Sequence, residues 1–352
     1  MRPEAEATEL LMNILKAVIG WALILWTLLD AFEQVILPRN EARPFRLSHL
    51  AFRVTWGPWK ALARRIRSEE RRTNFLAYYG PLSVLIMLSA WDLALIFGFS
   101  LGWWGIRAGS FVHRVYVSGS NFFTLGLSNP PVTDLQRVVT LIEAGVGLAF
   151  LAVIIGYLPV YYGAYSSREA FIPRFQWAAG YPSTAGGLIR RCTELRDKSL
   201  VLQTLMELQV WTADVLQSHR AYRLVALYRS QKGNEPWLTV LTTTLDATAL
   251  WIALPRDGPQ FGSPATFEIA RRVAQDLAGA FRLTPESLPA DRLPRPDFRK
   301  LCQRLGAAGM ELNDSEETEQ KLAQLRRTYE PYVYALSQFL YVALPAWTEE
   351  NA

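Results

Sequence analysis

The run Thr124-Leu125-Gly126-Leu127-Ser128, followed by Asn129 and two prolines, has the residue types for one kind of chemistry: holding a cation with uncharged oxygen. Gly126 has the backbone freedom to turn successive carbonyls the same way, and Thr124 adds a hydroxyl oxygen. A ring of such strands, one per subunit, replaces the water shell of an ion. Other chemistries find no comparable grouping. Cys192 and Cys302 stand far apart without CxxC spacing or a neighbouring histidine, and His49, His113 and His219 lie in separate segments. Neither a disulfide framework nor a zinc site is indicated. With no Ser/His/Asp set, paired carboxylates or metal constellation, no catalytic residue is assigned and an enzyme is not expected.

The elements that would position this run are membrane helices. Of 352 residues half are hydrophobic, 12 are Trp, and the apolar ones concentrate in the first 165 positions. An all-α membrane protein with a soluble second half is therefore expected. Four parts are expected: an N-terminal transmembrane helix (1–37), a basic amphipathic linker (38–76), a module of two spans around a loop (77–165) and a helical cytoplasmic domain (166–352). The first apolar run, Leu10 to Leu37, follows the acidic EAEATE and lacks a small-residue cleavage site, so it reads as a retained helix and not a signal peptide.

The linker sets the orientation. It carries Arg39, Arg43, Arg46, Arg53, Lys60, Arg64, Arg65, Arg67, Arg71 and Arg72 against Glu41, Glu69 and Glu70, which places it on the cytoplasmic side. The second span, Tyr78 to Ile106, then runs outward and the third, Val138 to Tyr165, runs back. This topology puts the N-terminus outside an inner (cell) membrane and the C-terminal half in the cytoplasm. Between Leu47 and Ile66 apolar and basic residues mix with Trp56 and Trp59, the pattern either of a helix lying on an anionic leaflet or of a solvated basic helix. The net charge of +5 is gathered in this loop and not spread over a face, so nucleic acid is not an expected partner.

About thirty residues separate the second and third spans, too many for a tight turn. The apolar-aromatic SFVHRVYVSGSNFF before TLGLSNPP suits a short re-entrant helix ending at Phe122 or Phe123 and an extended return. Irregular backbone at membrane depth persists only where protein buries it or water fills a cavity. The negative end of that helix dipole would favour cations.

The order of span, re-entrant helix, T-L-G, amide residue, proline, Arg137 and glycine-containing span resembles the pore module of tetrameric potassium-channel-like proteins. More closely, DAFEQVILPR (30–39), FFTLGLSNPP, IEAGVGLAFLAVIIGYLPVYYGAYSSRE (142–169) and SHRAYRLVALYRSQ (218–231) resemble a family of bacterial pore-loop channels with a helical C-terminal region. The resemblance implies a homotetramer in the lipid bilayer with permeant monovalent cations, potassium or sodium, and no bound cofactor. Thr124, Leu125 and Gly126 match the first filter positions. Leu127 stands where the filter has Tyr, whose hydroxyl braces it from behind, Ser128 where it has the second Gly, and Asn129 where it has Asp. A weakly selective cation pathway is the expectation, and a non-conducting membrane sensor or scaffold that keeps the channel fold is the alternative.

Charges inside the spans invite a functional reading, with polar glue between helices as the competing one. Asp92 sits mid-span without an obvious basic partner, whereas Lys16 and Glu143 fall at similar depth and are expected to pair. Gly147, Gly156 and Pro159 are gating-hinge candidates on the third span, and small-residue packing explains the glycines equally well. In the second half, apolar residues at three and four spacing predict helices from Ser183 to Gln231 and Ser263 to Phe281, and two more near Arg299–Met310 and Glu316–Leu344. Trp237 to Leu254 is apolar enough for a fourth span, yet Asp246, five threonines and flanking prolines favour a buried core helix. No glycine loop for a nucleotide follows a strand, so a Rossmann-type regulatory domain is not expected.

Overall fold

The computed structural model describes residues 2–35, 47–105, 110–127, 130–194, 198–230, 235–258 and 260–349. Among them the regular elements are all helical, and the one β feature is an isolated bridge between Pro255 and Leu312. In chain order they are α1 (Arg2–Val35), α2 (Leu47–Ala63), α3 (Glu69–Ala77), α4 (Tyr79–Gly102), α5 (Phe111–Phe122), α6 (Asp134–Ala179), α7 (Ala185–Glu194), α8 (Lys198–Ala221), α9 (Trp237–Ala253), α10 (Ser263–Ala280), α11 (Arg295–Ala307), α12 (Glu316–Arg327) and α13 (Glu330–Leu340), with 3-10 turns at Trp103–Gly105 and Arg223–Leu227. Among the described residues, three stretches are long and apolar enough to cross a membrane: Ala7–Val35, Glu69–Gly102 and Asp134–Ala179. The chain divides into two compact units, Met1–Tyr162 and Gly163–Ala352, with the division inside α6.

In the first unit α1 lies along α4 at a glycine crossing. A Cβ on Gly20 would stand 2.5 Å from the Gly98 carbonyl oxygen, and one on Gly98 would stand 2.8 Å from Ile24. Backbones approach this closely only when side chains are missing. Trp21 meets Phe99 edge-on at 5.9 Å beside the crossing, and the buried Asp30 carboxylate accepts a bond from the Trp91 indole at 2.9 Å. At the other end of α4, the Tyr79 and Thr55 hydroxyls bond at 2.8 Å, with the Trp56 ring 4.6 Å from Tyr79 and Trp59 stacked on Phe75. These contacts fix α2 against α3 and α4. Ser68 caps α3 through the Arg71 amide, and Glu69 and Glu70 in the first turn suit the positive helix end.

The second unit is built around α9, whose residues are all buried except Thr239. The expected core helix is thus present, and its buried threonines and Asp246 have partners. The hydroxyls of Thr242, Thr244 and Thr248 each donate to the carbonyl four residues back. Asp246 takes the Arg292 guanidinium at 2.6 Å and the Tyr329 hydroxyl, and Arg292 also reaches Glu330 and the Pro345 carbonyl. The helical stretch expected from Ser183 to Gln231 is made of α7, α8 and the 3-10 turn at Arg223–Leu227. The final stretch expected as one helix is divided into α12 and α13 at Thr328 and Tyr329, because Pro331 lacks an amide hydrogen and its ring blocks a helix running through the preceding turn.

Candidate functional site

The site grows from α5. Ser110 starts the helix by accepting the His113 amide, and twelve residues later the helix stops at Phe122. Two bonds close its end: the Thr124 amide donates to the Asn121 carbonyl at 3.0 Å and the Leu125 amide to the Ser120 carbonyl at 2.8 Å. This pairing requires a left-handed residue after the cap, a place glycine normally fills. Here Thr124 holds it at φ 55°. A β-branched residue in that conformation costs about 1–2 kcal/mol.

Gly126 is left-handed as well, at φ 66°. Left-handed backbone at two positions two apart breaks the side-to-side alternation of a strand, the condition for neighbouring carbonyls to share a side. The loop is then tied back to the helix that precedes it. The Leu127 amide donates to the Ser120 hydroxyl at 2.8 Å, and the Tyr116 hydroxyl donates to the Leu127 carbonyl at 3.2 Å. Tyr116 and Ser120, one turn apart on α5, thus clamp the loop at Leu127, one through its carbonyl and the other through its amide. Neither was singled out by sequence; their signal is an i, i+4 pair of hydroxyls on an apolar helix. Thr124 and Gly126 are exposed, and the Leu125 and Leu127 side chains are 59% and 63% exposed. Ser128 and Asn129 lie outside the described residues.

Glu143 of α6 braces the end of α5. Its carboxyl is fully buried and accepts from the Trp103 indole at 3.1 Å and the Asn121 amide at 3.0 Å, and it bonds the Ser118 hydroxyl, which also reaches the Ile96 carbonyl at 2.8 Å. One turn further along α6, a Cβ on Gly147 would sit 1.8 Å from the Phe122 carbonyl oxygen. Glu143 and Gly147 therefore hold the α5 terminus together, one by hydrogen bonds and the other by having no side chain. Gly145 and Gly156 have nothing within 4 Å of a Cβ position, and α6 runs unbroken through both and through Pro159.

The expected ion pair between Lys16 and Glu143 is not formed. The Lys16 ammonium lies 4.0 Å from the centre of the Trp104 ring, which the Arg114 guanidinium also faces at 4.2 Å. The donors on Glu143 are neutral side chains instead. Asp92 is not brought into this group, and its buried Oδ1 makes no hydrogen bond among the described residues.

Comparison with protein-family models, curated proteins and solved structures finds no match. Among the described residues, no group of three or more His, Cys, Asp or Glu is placed to hold a metal ion. The oxygens the loop presents are those of backbone and hydroxyl.

The second unit has its own buried polar centre. Arg168 donates to the Val225 and Tyr228 carbonyls at 3.0 and 2.8 Å, to Glu169 at 2.8 Å and to His219 Nε2 at 3.3 Å. Burial first, and then the Arg168 charge, hold the His219 imidazole well below the ordinary histidine range. His219 is accordingly neutral and serves Arg168 as an acceptor.

Proposed function

We propose that the chain is one subunit of a homotetrameric pore-loop cation channel of the potassium-channel-like type. It sits in the inner membrane with its N-terminus outside and its second unit in the cytoplasm. In this reading α5 is the re-entrant pore helix, and residues 124–128 form the filter, with Asn129 at its mouth. The observation that carries the reading is the end of α5: a short helix between two apolar ones, closed by left-handed Thr124, followed by left-handed Gly126 and clamped by Tyr116 and Ser120. A second support is the apolar row Leu141, Leu148, Ile155 and Tyr162 on α6, repeating every seven residues and exposed, as an inner pore wall or subunit contact requires.

Ser128 in place of the second filter glycine and Asn129 in place of an acid leave few oxygen sites and little charge to concentrate cations, so selectivity between potassium and sodium is weak. The α6 positions Gly147, Gly156 and Pro159 are candidate points of bending in gating, with Gly156 the freest of contacts on the side of its Cβ. Planar-bilayer recording of the purified protein tests the reading. Cation currents with bi-ionic reversal potentials close to zero, altered or abolished in Gly126→Ala, are expected. Anion currents or strong potassium preference would overturn it, and inserted tetramers that stay silent would assign a non-conducting sensor or scaffold.

A further inference from the structure

Helix α2 is apolar on two opposite faces. One face is occupied: Phe52, Trp56 and Trp59 pack at the start of α4 around Tyr79. The other carries Leu50, Val54 and Leu62, exposed by 55%, 61% and 50%, with exposed Gly57, Pro58 and Ala61 between them. The outward face of a surface helix is ordinarily polar. At 100° per residue, Arg53, Lys60 and Arg64 run along one edge of this apolar face, and Arg64 continues the helical turn through the hydrogen bond its amide donates to the Lys60 carbonyl. From Leu47 to Arg67 the sequence holds no acidic residue.

We propose that this second face of α2 docks onto the anionic phospholipid leaflet beside the Glu69–Gly102 span. An apolar stripe edged by cations enters the boundary between headgroups and acyl chains while its basic edge meets the phosphates. The place is right for it: α2 is fixed to the first turn of α4, and exposed Tyr78 just before that turn is the aromatic side chain expected at headgroup level. A second copy of the chain fits less well, because a two-fold contact through this face would set the basic edges near one another. The inference rests on the membrane reading of the apolar helices and does not depend on conduction.

The full chain, with Cys192 and Cys302 replaced by alanine and one cysteine introduced at Val54, is labelled with an environment-sensitive fluorophore. It is placed in nanodiscs of phosphatidylcholine alone or mixed with phosphatidylglycerol, with nitroxide-labelled lipid as quencher. The Val54→Cys probe is expected to be quenched strongly in the mixed discs and weakly in phosphatidylcholine. Replacing Arg53, Lys60 and Arg64 by glutamine lowers the docking equilibrium about fivefold per charge, and salt weakens it. A probe at Leu93, exposed on α4, reports on the span itself. Quenching there in both lipids with Val54 left in water overturns the docking, whereas a water-exposed Leu93 probe overturns the membrane reading beneath it. Equal quenching of Val54 in both lipids refutes recognition of anionic headgroups, and shielding of Val54 in detergent assigns the face to a protein contact.

Discussion

Replacing Glu143 by alanine removes an acceptor that joins three donors from two elements: the Trp103 indole, and the Asn121 amide and Ser118 hydroxyl of α5. Between membrane helices a hydrogen bond averages about 0.6 kcal/mol, whereas a buried donor left without an acceptor costs about 1–3 kcal/mol in a water-excluded core. Ser118 retains the Ile96 carbonyl, so two donors are stranded and one bond is merely lost. The sum runs from about 2.5 to about 6.5 kcal/mol. Glutamine behaves differently, since its carbonyl accepts from Trp103 and Asn121 while its amide donates to the Ser118 oxygen. Its expected cost is below about 1 kcal/mol. At about 2–4 °C per kcal/mol, Glu143→Ala lowers the thermal midpoint of the first unit by about 5–25 °C and Glu143→Gln by a few degrees at most. Thermal unfolding in detergent, followed by the fluorescence of the buried tryptophans, reads the difference. If glutamine is as harmful as alanine, the negative charge itself is needed and the neutral-donor account fails; if neither shifts the midpoint, the cluster does not hold α5 in place.

Gly147→Ala forces α6 away from the Phe122 carbonyl, which a Cβ would approach to 1.8 Å, while Gly145→Ala meets nothing within 4 Å. Overpacking costs about 1–3 kcal/mol, so the first variant unfolds at lower temperature and the second matches the parent in the same assay. In the second unit, His219 is neutral when folded and takes up a proton near pH 6.5 when unfolded. Its folded value is depressed, so the unfolded state binds more protons and stability falls as pH drops below about 6.5, by up to about 1.4 kcal/mol per pH unit from this group. Denaturant titrations across that range should show the slope in the parent and a shallower one in His219→Gln.

The long helices and the all-helical second unit were legible because apolar length and three–four spacing are local properties. The same holds for α9, where Asp246 and the threonines marked an apolar helix that needed buried partners and not lipid. What could not be read was which partner a buried charge takes. Lys16 and Glu143 match in depth along their helices, but depth says nothing of rotation about the axis, and the indole of Trp103 occupies the place the ammonium was expected to take. Asp30 repeats the lesson with Trp91: tryptophan, easily read as an apolar anchor, is here the donor to a carboxylate. The clamp by Tyr116 and Ser120 is only half legible, because the i, i+4 hydroxyls stand in the sequence while both of their bonds run to backbone atoms of Leu127, whose place no side-chain pattern gives. The break before α13 was open to inference, since Pro331 stands in the sequence as a stop signal.

Thr124 has a consequence for how this chain can drift. Its left-handed backbone is one that glycine adopts freely and asparagine readily, so either replacement would relieve the strain and keep the two bonds that close α5. A lineage under no demand but folding would exchange this threonine at little risk. If relatives of this chain hold threonine or serine there against that pressure, the hydroxyl is under selection; if glycine takes over, the backbone shape alone is what the position must keep.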